Sequence, residues 1–548
     1  MKASDLFLRC LEAEGVEYIF GVPGEENADI MISLLDSSIR FIICRHEQGA
    51  AFMADLYGRL TGRPGVCLAT LGPGATNLVT GVANAHMDRS PLVALTGQGA
   101  TTRLHKESHQ IMDVVGMFKP ITKWASSIHD ERNIPEVVRK AFKLAAAEKP
   151  GATLIELPED IAKREVEDQP IVPGLKVRRP VPDEKSVNAA LDLIGRARLP
   201  VILAGNGCIR TRVSKQLNRF IDKTGIYAAM TFMGKGAISD QHPRSLYAAG
   251  LGSRDHVALA FERADLVIAI GYDMVEWHPS LWNVGVEKRI LHIDFTPAEV
   301  DGSYRPEVEA VGDIAATLWA INERLGSEHR TAGSEFSDVR ETLVQELERE
   351  HAADEGFPMK PQRILSDLRQ EMDPEDILIS DVGAHKMWVA RHYPTYAPNS
   401  CIISNGFCSM GIALPGAISA KLVHPDRNVV GLCGDGGFMM NVQELATAVQ
   451  YEIASIHLVW EDSEYGLIRW KQETMFGRHS HIGFTNPDLV DLSRSFGCFA
   501  KRVNSPKELR PTLREAFQVR GRPSVIVVPV DYAENMKLTQ RLGELLCH

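Results

Sequence analysis

Short apolar runs rich in β-branched residues recur along this chain and alternate with amphipathic stretches of helical length. No other feature narrows the fold as far. Parallel strands covered on both faces read as continuous apolar runs, and each needs a crossover of helical length to reach the next. The runs predict strands at Phe41–Cys44, Val66–Thr70, Leu92–Thr96, Thr153–Leu157, Val201–Ala204, Leu266–Ile270, Val429–Leu432, Ile456–Trp460 and Ser524–Val528. The pattern is that of layered α/β domains.

Two stretches break the alternation. Glu165 to about Lys185 carries Pro170, Pro173, Pro180 and Pro182 among charges, and Gly326 to about Met359 is mostly polar with a helical piece inside. Both read as linkers. They divide the 548 residues into pieces 1–165, 186–325 and 355–548, in keeping with the roughly three or four domains such a length suggests. The outer pieces share a pattern. In one, strand Val66–Thr70 meets Leu71-Gly72-Pro73-Gly74, then a helix around Asn77–Asn84, then strand Leu92–Thr96. In the other, strand Val429–Leu432 meets Gly434-Asp435-Gly436-Gly437, then a helix around Asn441–Val449, then strand Ile456–Trp460. Each closes on similar text, KPGATLIELPED and GRPSVIVVPVDY. The expectation is two related α/β domains flanking a different central one.

Charge and composition exclude several classes of function. The formal charge is −11, and the hydrophobic and charged fractions, 44% and 24%, are those of a globular chain. An acidic balance without basic runs argues against a nucleic-acid or anionic-membrane partner. Asp5, Arg9, Glu12 and Glu14 interrupt the first apolar stretch, so it reads as neither a signal peptide nor a membrane anchor. Nowhere is there an apolar run of the length needed to span a bilayer. The nine cysteines are dispersed without a C-x-x-C pair, which predicts free thiols in a cytoplasmic protein.

Chemistry concentrates at strand ends. In Gly434-Asp435-Gly436-Gly437 the glycines let backbone N–H groups approach a phosphate. Asp435 would repel a bare phosphate and makes sense if it holds a divalent cation that neutralises it. Asp462, directly after strand Ile456–Trp460, supplies a second oxygen where adjacent parallel strands bring their C-terminal ends together. Other signatures are absent: there is no GxxxxGK[ST] loop and no HEXXH pattern. Gly205-Asn206-Gly207 has Arg210 where a dinucleotide fingerprint needs its third glycine, so it reads as a turn. His479-Ser480-His481 reads as solvent-facing. Glu47, in Arg45-His46-Glu47-Gln48-Gly49, stands at a strand-to-helix junction, where a carboxylate either caps the helix or sits partly buried.

Taken together, Arg45-His46-Glu47, the Gly72-Pro73-Gly74 loop and Gly-Asp-Gly followed one strand later by Glu461-Asp462 resemble the thiamine-diphosphate-dependent 2-keto acid enzymes. The resemblance extends over nearly the whole chain and is nearest to acetolactate (acetohydroxyacid) synthases of the catabolic type. RHEQGAAFMADLYGRLTG, ATLGPGATNLVTG, SHQIMDVVGMFKPITKW, GYDMVEWHP, VVGLCGDGGFMMNVQELATAV and VPVDYAENMKL carry it. It implies three doubly wound parallel-sheet domains, the first pyrimidine-binding and the third, related to it, diphosphate-binding. It also implies thiamine diphosphate and Mg2+ as cofactors.

Residue by residue, Glu47 matches the glutamate that hydrogen-bonds the aminopyrimidine ring and promotes its imino tautomer. Asp435, Asp462 and the backbone carbonyl of Glu464 match the magnesium ligands. Gly434, Gly436, Gly437, Tyr465, Gly466 and Leu467 fall in the same cofactor-binding segments. Gly383, Ala384 and His385 match a second diphosphate loop. The carbonyl of Cys408 matches the acceptor of the cofactor's amino group, and Met410 the apolar wedge that keeps its two rings bent. Pro23 and Gly24 match cofactor contacts. Gly24, Glu25, Gln110 and Phe118 match the substrate pocket, with His109 and Gln110 near the reacting groups.

The chain also departs from the family pattern. Glu461 stands where the metal motif usually has asparagine. The Arg-Phe-Asp-Asp segment associated with flavin is replaced by Gly271-Tyr272-Asp273 and Trp277-His278-Pro279, so FAD is not expected. Pro23–Asn27 carries bulkier, acidic residues than catabolic synthases do. The expected reaction is conversion of two pyruvates to 2-acetolactate and carbon dioxide, with another thiamine-diphosphate decarboxylase, carboligase or oxidase as the alternative. The resemblance further implies a homodimer or homotetramer with sites between chains.

Overall fold

The computed structural model describes residues 1–104, 106–168, 171, 179–251, 255–325, 335–350 and 355–535. Pro170 and Pro173 of the first linker, Gly326 of the second, and the end of VPVDYAENMKL lie outside them. The described chain forms three six-stranded sheets. The first holds β1 (Tyr18–Gly21), β2 (Arg40–Ile43), β3 (Gly65–Ala69), β4 (Leu92–Gln98), β5 (Trp124–Ser127) and β6 (Ala152–Pro158). The second holds β7 (Pro200–Ala204), β8 (Ala228–Met230), β9 (Ser245–Ala248), β10 (Leu266–Ile270), β11 (Arg289–Asp294) and β12 (Val308–Val311). The third holds β13 (Ile377–Ser380), β14 (Cys401–Ile403), β15 (Val429–Gly434), β16 (Ile456–Glu461), β17 (Phe499–Arg502) and β18 (Ser524–Pro529). Every pairing between these strands is parallel.

The first sheet runs β2-β1-β3-β4-β6-β5 and the third β14-β13-β15-β16-β18-β17. These are the same order, so the two outer domains share a topology as well as a motif. The central sheet, β12-β11-β10-β7-β8-β9, has the strand order of a dinucleotide-binding fold. The apolar runs predicted as strands all form strands, displaced by at most a residue or two at the ends. Their residues alternate between two cores. Val93 and Leu95 face one side of the first sheet, and Leu92 and Ala94 the other.

That second side is shared. Phe52, Leu56, Ala413, Ala417, Ile379 and Val459 belong to one buried cluster lying between the first and third sheets. Helix Glu47–Thr61 packs there against helices Pro73–Met87 and Ala413–Val423. The approach is close enough that a Cβ on Gly81 would lie 2.4 Å from Ala51 Cβ. The polar stretch between central and third sheets contains helix Ser337–Glu350, which buries Val339, Leu343 and Leu347 against the central domain. The helix expected around Asn441–Val449 starts earlier, as Asp435–Met440, and resumes as Glu444–Gln450. Buried Asn441 interrupts it by donating its side-chain amide to the carbonyl of Gly411 at 2.8 Å. Among the described residues, the cysteines are unpaired and no helix is long and apolar enough to cross a membrane.

Candidate active site

Ligand groups in such sheets gather beyond the carboxyl ends of the strands. In the third sheet, four neighbouring strands, β14, β13, β15 and β16, deliver Ser404–Gly411, Gly383–His385, Asp435–Gly437 and Asp462–Leu467 to that edge. Gly434 pairs in register with Trp460, which sets Asp435 beside Asp462. Asp435 is 1% exposed. Its Oδ2 accepts from the N–H of Ser463 at 2.7 Å, the N–H of Asp462 at 3.3 Å and Asn486 Nδ2 at 2.7 Å, while Oδ1 accepts from the N–H of Gly436 at 2.8 Å. Burial raises the Asp435 carboxyl above the usual range. Burial, with Asp435 as neighbour, pushes Asp462 up to about 7. Two carboxylates forced together out of water are held as anions by a cation between them, and the donor set, all oxygen, suits a hard divalent ion.

Glu461, the departure beside this pair, turns away: its Oε1 accepts from Arg502 at 3.0 Å. The side chain of Glu464 is likewise engaged, by Arg469 at 2.7 Å, leaving its backbone as the part near the pair. Tyr465 is exposed and packs at a tilt against Phe484, with ring centres 5.0 Å apart. Gly466 opens helix Gly466–Phe476 and Leu467 lies partly buried behind it. His385 is buried beside Gly434, its Nε2 has no partner among the described residues, and burial drops the ring to about 3, so it is neutral. An orphaned ring nitrogen next to a glycine turn fits a ligand that brings its own hydrogen-bonding groups. Across the turn, buried Asp381 accepts from the N–H groups of Gly411 at 2.8 Å and Ala413 at 3.1 Å. These bonds fix the end of the loop that carries Cys408 and Met410. Cys408 itself sits at φ 61°, a conformation rare for a residue with a side chain.

The first sheet mirrors this arrangement. Pro23–Glu25 follow β1, Glu47 follows β2, Gly72–Gly74 follow β3, and His109 and Gln110 follow β4. His46 is the residue that caps helix Glu47–Thr61, its Nδ1 accepting from the N–H of Gln48 at 3.1 Å. That leaves Glu47 as a buried first residue, and of the two roles open to it the structure shows burial. Its Oε2 accepts from Asn77 Nδ2 at 2.9 Å. On the other side, a Cβ on Gly74 would lie 3.3 Å from Oε1, so glycine keeps that oxygen accessible. Glu444, from the third domain, receives the N–H groups of Arg45 and His46 at 3.1 Å and 2.9 Å and fixes the entry to the helix.

Gln110 and His109 are exposed, and the carbonyl of Gln110 approaches Gly72. Gly24 lies against Thr70. Glu25 is exposed, while Glu26 accepts from Thr70 Oγ1 at 2.6 Å. Phe118 is not brought to this face: it is fully buried in the shared core. Sequence reading missed Asn77, Glu444, Asn486 and Asp381. Asn77 follows the Gly72–Gly74 turn by one helical turn, which was a usable signal. The others are ordinary polar residues until the fold buries them.

Comparison with known proteins follows the same division. Residues 1–117 match the family described as thiamine pyrophosphate enzyme, N-terminal TPP binding domain; residues 187–321 match its central domain; and residues 381–528 match its C-terminal TPP binding domain. Over 100% of its length the chain is 36% identical to 97% of an acetolactate synthase of Bacillus subtilis (strain 168). It is also 36% identical to a catabolic acetolactate synthase of Raoultella terrigena, covering 98% of this chain and 97% of that one. A probable acetolactate synthase large subunit of Methanocaldococcus jannaschii is 35% identical, over 100% of this chain and 94% of its own.

Proposed function

The chain belongs to the acetolactate synthase family of thiamine pyrophosphate enzymes, and from that membership we propose that it decarboxylates pyruvate and joins the two-carbon remainder to a second pyruvate, giving 2-acetolactate and carbon dioxide. One observation carries the reading. Two sheets of identical strand order present complementary half-sites, a buried glutamate on one and a carboxylate pair with a glycine turn on the other.

Asp435, Asp462 and the carbonyl of Glu464 would hold Mg2+, and the N–H groups of Gly436 and Gly437, with neutral His385, would take the diphosphate. Cys408 and Met410 would grip the ring system, and Glu47 would share a proton with the pyrimidine through Oε1, the oxygen Asn77 leaves free. When bound, thiamine diphosphate supplies a carbon nucleophile for the keto carbon and a sink for the electrons released with carbon dioxide. Glu47 and Asp435 lie on different sheets, and no hydrogen bond among the described residues joins them. From the family resemblance the reading also includes a homodimer or homotetramer in which each complete site draws Glu47 from one chain and Asp435 from another.

The reading also excludes a bound flavin. Glu276 fills the turn after β7 that a dinucleotide fold offers to phosphate. The N–H of Asn206 donates to both its oxygens at 3.1 Å and the N–H of Asp273 donates at 3.0 Å. A flavin absorption band in purified protein would count against this.

A second reading has its own support. Glu25 and Glu26 place carboxylates on the loop beside Gly24, which opposes a second anionic keto acid and favours release of an aldehyde or transfer to a neutral acceptor. The test is a product survey with pyruvate, 2-ketobutyrate, glyoxylate and benzoylformate in the presence of Mg2+ and cofactor. Acetolactate, detected after acid conversion to acetoin, supports the first reading. Free aldehyde in excess of condensed product supports the second.

A further inference from the structure

Three domains meet on one loop. The loop Ser404–Met410 leaves β14 carrying Cys408 and Met410, and its backbone is seized by residues far away in sequence. Asp88 ends helix Pro73–Met87 in the N-terminal domain and is 2% exposed. Its Oδ1 accepts from the N–H of Gly406 at 2.8 Å and the N–H of Phe407 at 3.2 Å. Asn84, one helical turn earlier, accepts through Oδ1 from Ser404 Oγ at 3.1 Å and the N–H of Ser409 at 3.4 Å. From the central domain, the carbonyl of Glu276 accepts from Asn405 Nδ2 at 2.9 Å. Lys386, in the loop's own domain, donates to Asn405 Oδ1 at 2.8 Å.

We propose that Asp88 is a positioning residue for the cofactor: its carboxylate fixes Gly406 and Phe407 so that the next residue presents its carbonyl to the cofactor's amino group. The proposal rests on the reading of Cys408 given above and extends it to a residue that touches neither cofactor nor substrate.

Three facts make Asp88 the anchor. A charged acceptor holding two adjacent backbone N–H groups is among the stronger hydrogen-bond arrangements. The contact is so close that a Cβ on Gly406 would lie 2.7 Å from Asp88 Oδ1 and 2.6 Å from the carbonyl of Met87, so this position requires glycine. Finally, Cys408 at φ 61° holds an uncommon backbone conformation, which persists only where its surroundings fix it. Asp88 supplies that constraint on the N-terminal side of Cys408 and Asp381 on the C-terminal side. Asp88 is balanced by Arg59, whose NH1 is 3.8 Å from Oδ2, with side chains 6% and 1% exposed.

The experiment compares affinities in magnesium buffer for thiamine diphosphate and for its analogue with hydrogen in place of the 4′-amino group, which has nothing to donate to the Cys408 carbonyl. Wild type is expected to prefer the amino form by about ten-fold, the equivalent of one good hydrogen bond. Asp88→Ala is expected to lose most of that preference while its affinity for the desamino analogue changes by less than about two-fold. A purely structural role would weaken both ligands together.

Because Asp88→Ala also strands Arg59, Gly406→Ala is the second arm. Its methyl group pushes the loop off the carboxylate and leaves the Asp88–Arg59 pair in place, and the same loss of preference is expected. A wild-type preference retained in either folded variant overturns the role of Asp88. No preference in wild type itself overturns instead the assignment of Cys408, so the two failures are distinguishable.

Discussion

Asn77 donates its side-chain amide to Oε2 of Glu47 at 2.9 Å, a bond from the second turn of one helix to the first residue of another, both leaving the same edge of the first sheet. It holds one carboxyl oxygen and orients the other. Replacing Glu47 by Gln keeps the shape and removes the proton exchange. Turnover should fall by roughly 10²–10⁴-fold, the range for a general acid–base group, while calorimetric affinity for cofactor with Mg2+ stays within a few-fold. Asn77→Ala should cost about ten-fold in turnover. Full turnover in Glu47→Gln would remove this carboxylate from the mechanism.

The carboxylates near the proposed metal site divide into two kinds. Asp462 faces Asp435, whereas Glu461 is committed to Arg502. Asp462→Asn should raise the Mg2+ concentration needed for half-maximal cofactor binding by more than ten-fold. Glu461→Gln should change it by less than about two-fold. Equal effects of the two substitutions would mean that Glu461 also serves the cation.

If each site draws on two chains, defects should complement. Homodimers of Glu47→Gln and of Asp435→Ala should both be inactive. Mixed dimers should regain activity, because one of their two sites receives an intact Glu47 and an intact Asp435. Co-expression with two affinity tags isolates the mixed species. Inactivity there would place both residues in one chain's site.

A buried carboxyl away from the proposed site gives a pH signature. Burial, helped by the neighbouring Asp88, raises Asp55 from 3.8 to about 7. The folded chain therefore keeps a proton that the unfolded chain has released, and folding takes up a proton between those two pH values. Wild-type stability should fall across that window relative to Asp55→Asn, by about 4 kcal/mol at the upper limit, and the difference should level off above about pH 7. Melting temperatures of the two proteins at several pH values check this. A pH-independent offset would mean Asp55 is charged throughout.

Sequence carried the layout well because its signals are local. Val429–Leu432 and Ile456–Trp460 announce buried parallel strands by composition alone, and Gly434-Asp435-Gly436-Gly437 announces a turn. Adjacency of two such strands then places Asp435 beside Asp462. What escaped detection depends on distant partners. Whether Glu47 caps its helix or is buried was decided by His46, which takes the cap, and by Asn77. Glu444 and Asp88 look like solvated acids in the sequence and become anchors only when another domain supplies backbone N–H groups. Helix Ser337–Glu350 was expected as a helical piece of a linker, but its packing was not, because Val339, Leu343 and Leu347 form a buried face only against the central domain.

The central claim is the fate of the two-carbon unit, and carbon stoichiometry measures it directly. Purified protein with Mg2+, thiamine diphosphate and pyruvate should consume two pyruvates for each carbon dioxide released, with 2-acetolactate accounting for the remaining carbon. One pyruvate consumed per carbon dioxide, with aldehyde or acetate as the product, would contradict the claim.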